Sequence, residues 1–261
     1  MKTISSAVGA GKARRVARFL GADGKAVLVA IDMQSSSGSG PDLDVVVRVA
    51  QGGPDGILAS WQVARRYPEA FADCGLVLRL DGALTQLKQH DRGDTFSLMY
   101  SVEQALTIGA DAVVIMGFPG APDEHLSLQR ITKLVGECEL VGMPLIVESI
   151  PGTWSRAVPW DAEHITKSAR ICVELGADAI KTMAPPEIPD LAQVVADCEV
   201  PLFVLGGPKK DTEDEAVKYA ADVVAAGASG IAFGRNTWGA KDPTAMVRRL
   251  YAAVHGKNAH Q

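Results

Sequence analysis

Short apolar runs recur along the chain, separated by segments long enough to form a helix. Five of them are "AVLVAID" (26–32), "DGILAS" (55–60), "GLVLRLDG" (75–82), "MPLIVESI" (143–150) and "VPLFVLGG" (200–207). Three more end the mutually similar segments "ALTIGADAVVIM" (105–116), "VELGADAIKTM" (173–183) and "VVAAGASGIAFG" (223–234). In these three, a glycine ends a helix by accepting the left-handed conformation. The runs have the continuous apolar character of strands covered on both faces in a parallel sheet.

The segments between the runs show the single apolar face of amphipathic helices. That face comprises Ile165, Ala169, Cys172 and Val173 in one helix and Val247, Leu250, Tyr251 and Val254 in another. About eight strands therefore alternate with helices, and no linker divides the chain, since "SSSGSG" (35–40) follows a strand directly and reads as a long loop. This order predicts a single (β/α)8 TIM barrel over residues 1–261, with an N-terminal capping helix. An open doubly wound sheet is the alternative.

Composition narrows the classes of partner. The 261 residues carry a net charge of −5 without a long basic run, which argues against nucleic acid. We expect neither a signal peptide nor a membrane span, because no apolar run is long enough to cross a bilayer. The four cysteines are widely spaced, which favours small buried residues over a disulfide or a metal site. A reducing, cytoplasmic location fits this pattern.

Charged residues stand at the carboxyl ends of several predicted strands. The first strand ends in Asp32, the third in Arg79 and Asp81, the fifth in Glu148 and the sixth in Lys181. A TIM barrel has its active site at this edge. These residues therefore predict a catalytic site, although a purely structural layer of ion pairs would give the same pattern.

Glycine-rich segments follow the last two strands. "LGGPK" contains Gly206 and Gly207, and "FGRN" contains Gly234 and Arg235. Many barrels bind a phosphate at this place with backbone N–H groups, and glycine permits the close approach that this requires. Arg235 can add a charge-assisted contact. We predict a phosphate site here, and the alternative is that the glycines only turn the chain.

Lys181 is the candidate nucleophile. Burial disfavours an ammonium group, so a lysine in a partly desolvated barrel mouth has a fraction of neutral amine. That amine can attack a ketone, and the resulting Schiff base stabilises a carbanion while a carbon–carbon bond breaks or forms. The alternative is a lysine that pairs with Asp32, Asp81 or Glu148 and only balances charge.

Several segments together resemble the class I aldolases of the DeoC/FbaB/LacD group, in particular the archaeal-type fructose-bisphosphate aldolases. They are "VLVAID", "SVEQALTIGADAVVI", "GADAIKT", "LFVLGGPK", "GIAFGRNTW" and "DPTAMVRRLYAAVHG". The resemblance implies a Schiff-base barrel without metal or cofactor, acting on a small phosphorylated keto substrate. It implies that Lys181 forms the imine and Asp32 assists proton transfer or binds substrate hydroxyls. It also implies a homo-oligomer, often a decamer.

The chain departs from this family in the segment after the fifth strand. Family aldolases carry "W-x-Y-P-R-G" there, and its tyrosine is the general acid/base, whereas this chain has "ESIPGTW". Glu148 thus stands at the tryptophan position and Ile150 at the tyrosine position. We predict that Glu148 takes over proton transfer, because burial favours its protonated form. Tyr100 is a weaker candidate.

Three kinds of function fit these residues. The first is a Schiff-base aldolase or a related thiolase or transaldol-type synthase, with Arg79 and Asp81 added to the substrate-binding set. The second is an isomerase or decarboxylase that uses Asp32, Asp81 and Lys181 as an acid/base network. The third is a non-enzymatic sensor that retains only the phosphate site.

Overall fold

The computed structural model describes residues 9–32, 42–82, 96–154 and 158–256. Eight parallel strands form a closed barrel, in which each strand pairs with the next along the chain and the eighth pairs with the first. They are β1 (Ala26–Ile31), β2 (Gly56–Ala59), β3 (Gly75–Arg79), β4 (Ala112–Gly117), β5 (Leu145–Ser149), β6 (Ala179–Thr182), β7 (Leu202–Leu205) and β8 (Gly230–Phe233). The predicted (β/α)8 barrel is confirmed, and the alternative of an open sheet is wrong.

Helices surround the barrel, and their apolar faces pack against the strands. They are α1 (Ala10–Val16), α2 (Val45–Ala50), α3 (Trp61–Arg66), α4 (Val102–Thr107), α5 (Glu124–Val141), α6 (Ala162–Glu174), α7 (Leu191–Asp197), α8 (Glu213–Ala225), α9 (Arg235–Trp238) and α10 (Pro243–His255), with 3₁₀ turns at Pro68–Phe71 and Ile188–Asp190. The predicted apolar faces of α6 and α10 are buried, except that Val173 and Tyr251 are only partly covered. None of the described helices is both long and apolar enough to cross a membrane.

The barrel interior is closed from below by the N-terminal segment. Alternate strand residues, among them Val77, Ala179 and Phe203, form an inner apolar cluster that also includes Phe19. Phe19 is fully buried, and a Cβ placed on Gly75 would lie only 2.6 Å from the Cβ of Phe19. The predicted N-terminal capping helix is therefore confirmed, with α1 and the residues after it sealing the amino-terminal end of the barrel.

The three similar sequence segments share one structural role at that end. The side chains of Asp111, Asp178 and Ser229 each accept a hydrogen bond from a backbone N–H of the preceding strand, at 2.9, 2.8 and 3.4 Å. Each segment therefore anchors the start of its own strand to its neighbour. This recurrent contact explains why a polar residue follows each of the turning glycines.

Three smaller features are the cysteines, a short antiparallel ladder and a loop. The four cysteines are buried, as predicted. A short antiparallel ladder between Asp81–Gly82 and Ser97–Leu98 was not predicted, because two-residue strands give no apolar period. The predicted loop at 35–40 lies outside the described residues.

Candidate active site

Lys181 and Glu148 face the interior of the barrel from adjacent strands. They are paired in register between β6 and β5, and they follow the interior residues Ala179 and Ile146 in strict alternation. Both residues are buried, with 3% and 4% of their surface exposed. Nζ of Lys181 donates a hydrogen bond of 2.8 Å to Oε2 of Glu148. The two predicted catalytic groups are thus in direct contact above the apolar floor of the barrel.

Arg79 joins this pair to the other two predicted carboxylates. Its Nε and Nη2 lie 2.8 and 2.7 Å from Oδ2 of Asp32, and its Nη1 lies 3.3 Å from Oδ1 of Asp81. Nη2 also donates to Oε2 of Glu148. The five charged residues predicted from the strand ends therefore form a single buried network.

The pKa values of Asp81 and Asp32 are shifted in opposite directions. Burial raises the pKa of Asp81, although Arg79 and a 2.7 Å hydrogen bond from the backbone N–H of Met116 oppose the rise. Burial also acts to raise the pKa of Asp32, but the charges of Arg79 and Lys181 outweigh it, so that this pKa is lowered. Asp32 is therefore the more strongly ionised of the two carboxyl groups.

The contact between Lys181 and Glu148 bears on both interpretations of the lysine. Pairing with a carboxylate, which the charge-balance alternative required, is present. The same contact is also what proton transfer from the ammonium group needs, because donor and acceptor already lie within hydrogen-bond distance. Among the described residues, none donates to the other oxygen of Glu148, Oε1. One oxygen of the carboxylate thus holds the two cations, and the other has no described partner.

The glycine-rich segments after β7 and β8 lie side by side, as predicted. Gly207 has a left-handed φ of 65°, and nothing lies within 4 Å of the place where its Cβ would be. No acceptor among the described residues pairs with the backbone N–H of Gly207 or of Arg235. The exposed Arg235 side chain lies 3.5 Å from the carbonyl oxygen of Gly207, a contact at the limit of a hydrogen bond. Free N–H donors and an exposed guanidinium are what an anion requires.

Asn236 holds the two segments together. Its Nδ2 donates to the carbonyl oxygens of Gly206 and Pro208, at 2.9 and 3.1 Å, and its Oδ1 accepts from the N–H of Lys210 at 2.8 Å. No role was predicted for Asn236, which stands within "FGRN". An asparagine next to a glycine turn has many ordinary explanations, so the sequence offered no signal that distinguished this one.

The segment after β5 departs from regular geometry. Ile150 is fully buried, and its N–H donates to the carbonyl oxygen of Gly117 at 2.9 Å. Gly152 and Thr153 both have positive φ, 73° and 141°, and the second value is strained for a β-branched residue. Trp154 and Trp160 pack edge to face beyond it. The backbone directly after β5 is therefore held against the end of β4 and the residues that follow it.

Tyr100, the weaker acid/base candidate, is engaged in a ring contact. It stacks on Trp61 with ring centroids 5.0 Å apart, and its N–H donates to the carbonyl oxygen of Leu80. Trp61 begins α3 immediately after β2. The Tyr100–Trp61 pair thus lies on the rim of the barrel, at the side of β2 and β3. Glu148, in contrast, contacts Lys181 directly. This contact favours Glu148 over Tyr100 as the acid/base group.

A closed (β/α)8 barrel with a buried lysine–carboxylate pair at the carboxyl ends of its strands has the arrangement in which TIM-barrel enzymes place their active sites. The profile described as DeoC/LacD family aldolase matches residues 25–240. The chain belongs to this family. It is accordingly an aldolase, a carbon–carbon lyase, which excludes the interpretation as a non-enzymatic sensor.

Two relatives cover nearly the whole chain. The 2-amino-3,7-dideoxy-D-threo-hept-6-ulosonate synthase 1 of Archaeoglobus fulgidus is 32% identical over 96% of this chain and 93% of its own length. The class 1 fructose-bisphosphate aldolase of Thermoproteus tenax is 31% identical over 92% of this chain and 93% of its own length. The family thus includes enzymes named as synthases and as aldolases.

Solved structures agree with this assignment. An archaeal fructose 1,6-bisphosphate aldolase is 27% identical, with a TM-score of 0.83, and covers 94% of this chain and 100% of its own. Another structure with the same TM-score, identity and coverage shows an archaeal aldolase whose catalytic lysine is covalently bound to the carbinolamine intermediate of its substrate. The chain is therefore a class I aldolase by family and by fold.

Proposed function

We propose that the chain makes or breaks a carbon–carbon bond of a phosphorylated keto compound, through a Schiff base between the substrate carbonyl and Nζ of Lys181. The observation that supports this most strongly is the contact between Lys181 and Glu148, buried inside the barrel mouth. The free N–H groups and the arginine of the segments after β7 and β8 support the phosphate part of the proposal.

The first step uses Glu148 as the base. It takes a proton from the Lys181 ammonium, and the neutral amine adds to the carbonyl carbon. One proton then passes from the nitrogen to the former carbonyl oxygen, which gives a neutral carbinolamine. Protonated Glu148 then gives its proton to the carbinolamine oxygen, which leaves as water while the nitrogen lone pair forms the C=N bond. One water is released for each imine formed, and Glu148 ends ionised.

The second step moves the electron pair of the carbon–carbon bond. In the cleavage direction, a carboxylate removes the proton from the substrate hydroxyl, the hydroxyl carbon becomes an aldehyde, and the electrons of the broken bond enter the iminium as an enamine. Asp32 and Glu148 are the ionised groups available for this proton, and Ile150 cannot replace them because its side chain has no titratable group. Synthesis is the reverse of these steps.

The test is turnover of ketose phosphates in the presence of a chelator. The full-length chain is incubated with fructose 1,6-bisphosphate or fructose 1-phosphate and EDTA, and release of dihydroxyacetone phosphate is followed by coupled reduction. We expect Lys181→Met to abolish turnover and Lys167→Met, an exposed lysine on α6, to leave it unchanged. Turnover that survives in Lys181→Met, or that disappears with EDTA in the wild type, contradicts the proposal.

A synthase is the second candidate, favoured by the names of the relatives and by Ile150. Besides the A. fulgidus enzyme, the 2-amino-4,5-dihydroxy-6-oxo-7-(phosphonooxy)heptanoate synthase of Streptomyces griseus is 29% identical over 72% of this chain and 68% of its own length. A chain of this kind would use a ketose phosphate as donor and an amino-substituted aldehyde as acceptor. Carbon–carbon bond formation with aspartate semialdehyde, in the absence of fructose 1,6-bisphosphate cleavage, would identify it.

A further inference from the structure

All three nitrogens of the Arg79 guanidinium contact carboxylates within the protein. Its guanidinium contacts Asp32 through Nε and Nη2, Asp81 through Nη1 and Glu148 through Nη2. An arginine has five N–H donors. Three of those of Arg79, one on each nitrogen, donate to Asp32, Asp81 and Glu148, and Nη2 also lies within ion-pair distance of Asp32. The side chain is 3% exposed. A substrate phosphate could reach it only by breaking buried ion pairs, which is strongly unfavourable.

The anchoring of its partners gives Arg79 a fixed position. Asp81 is held by the backbone N–H of Met116 in β4, at 2.7 Å, and in turn holds Nη1. The other edge of the guanidinium contacts the two carboxylates that the proposed chemistry needs, Asp32 on β1 and Glu148 on β5. Because the guanidinium fork is planar and rigid, it sets where these two carboxylates lie relative to each other.

We propose that Arg79 is a positioning residue that orients Glu148 and Asp32 around Lys181, and that it does not bind the substrate phosphate. This assigns Arg79 and Asp81 a role different from the substrate contacts expected from their strand-end positions. Oε2 of Glu148 is shared between Arg79 and Lys181, so removing the guanidinium frees the carboxylate to rotate away from the amine. The proposal deepens the Schiff-base function and rests on it.

Arg235 provides the matched comparison. It is an arginine at the same end of the barrel, but it is exposed, and its only described contact is at the 3.5 Å limit. Its guanidinium is therefore available to an anion, whereas that of Arg79 is occupied. Arg79→Met therefore tests the loss of positioning, and Arg235→Met tests the loss of phosphate binding.

The experiment measures imine formation in the full-length chain with dihydroxyacetone phosphate and sodium cyanoborohydride. Covalent labelling is followed by intact mass at increasing ketone concentrations, which yields a maximal rate and a half-saturating concentration. For Arg79→Met we expect the maximal rate to fall about 100-fold, the cost of a misplaced proton-transfer group, with less than about a threefold change in half-saturation. For Arg235→Met we expect half-saturation to rise about tenfold, the effect of one lost charge-assisted contact.

Two results would overturn the proposal. One is a rise in half-saturation for Arg79→Met at an unchanged maximal rate, which would make Arg79 a phosphate ligand. The other is wild-type kinetics in Arg79→Met. Arg79→Lys serves as the conservative variant and should recover part of the maximal rate, since it keeps a cation but not the fork. If Arg79→Met does not fold, the maximal labelling rate and the half-saturating ketone concentration of Arg79→Lys distinguish positioning from phosphate binding.

Thermal protection by inorganic phosphate tests the positioning role of Arg79 independently of Schiff-base formation. Inorganic phosphate should raise the Tm of wild type and of Arg79→Lys equally, and should raise that of Arg235→Met less. If wild type forms no imine with the ketone, the proposed function fails on that result alone. A loss of phosphate protection in Arg79→Lys instead contradicts the positioning role.

Discussion

The substitution Glu148→Gln tests whether this carboxylate transfers protons. Glutamine has the same shape, and its amide oxygen can still accept from Lys181 and Arg79. It cannot take a proton from the ammonium or return one to a leaving hydroxyl. Arg79 keeps its contacts to Asp32 and Asp81, so most of the buried network remains.

The expected loss of stability follows from the two hydrogen bonds at Oε2. A hydrogen bond to a charged group contributes about 1.5–3 kcal/mol and one between neutral groups about 0.5–1.5 kcal/mol, so two weakened bonds cost about 2–3 kcal/mol. For a chain of this size, that lowers Tm by about 4–12 °C. Loss of an acid/base group lowers kcat by about 10²- to 10⁴-fold. The variant should therefore be folded and almost inactive.

The assay compares kcat, KM and Tm of wild type, Glu148→Gln and Glu163→Gln with the ketose phosphate that turns over. Glu163 is the matched control, because it also accepts from a lysine, Lys167, at 2.6 Å, but on the exposed surface of α6. We expect Glu163→Gln to behave as wild type. A kcat within threefold of wild type for Glu148→Gln would refute the role of this carboxylate and turn attention to Tyr100.

Three more substitutions test other parts of the structure. Asn236→Ala removes the hydrogen bonds that join the segments after β7 and β8, and we expect inorganic phosphate to protect against thermal unfolding at about tenfold higher concentration. Phe19→Ala opens a cavity at the barrel floor and should cost about 3–5 kcal/mol in urea unfolding. His255→Gln should flatten the pH dependence of Tm. Burial alone would lower the pKa of His255, but hydrogen bonds and charge from Asp55 and Asp23 raise it above 6.5. The stabilisation that protonated His255 gives to the folded protein is therefore complete below pH 6.5. It is lost as the pH rises through the pKa of His255 in the folded protein.

Each of these expectations has an outcome that contradicts it. Unchanged phosphate protection in Asn236→Ala would show that the two segments do not need this side chain to bind an anion. A loss below 1 kcal/mol in Phe19→Ala would show that the floor collapses around the cavity. A difference in Tm between wild type and His255→Gln that grows above pH 8 would contradict the raised pKa.

The barrel was predictable because its strands are buried on both faces and its helices on one. The repeated glycine before a strand marked three of the eight repeats, and the shared contact of Asp111, Asp178 and Ser229 gives that repeat its physical cause. The short ladder at Asp81–Gly82 escaped prediction because it depends on a contact between segments, not on local pattern.

The site was predictable as a set of residues but not as a network. Charges at strand ends indicate which side chains meet at the barrel mouth, and the five found there do meet. The sequence contains no information on which partner each one takes, since that depends on strand register and side-chain length. It is the pairing that distinguishes Arg79, whose three guanidinium nitrogens all contact buried carboxylates, from Arg235, whose exposed guanidinium can contact an anion.

The identity of the labelled residue decides whether Lys181 forms the Schiff base. The full-length chain is treated with dihydroxyacetone phosphate and borohydride, digested, and its peptides are mapped by mass spectrometry. We predict one adduct, on Lys181, which disappears in Lys181→Met. An adduct on any other lysine, or none with any ketose phosphate, would contradict it.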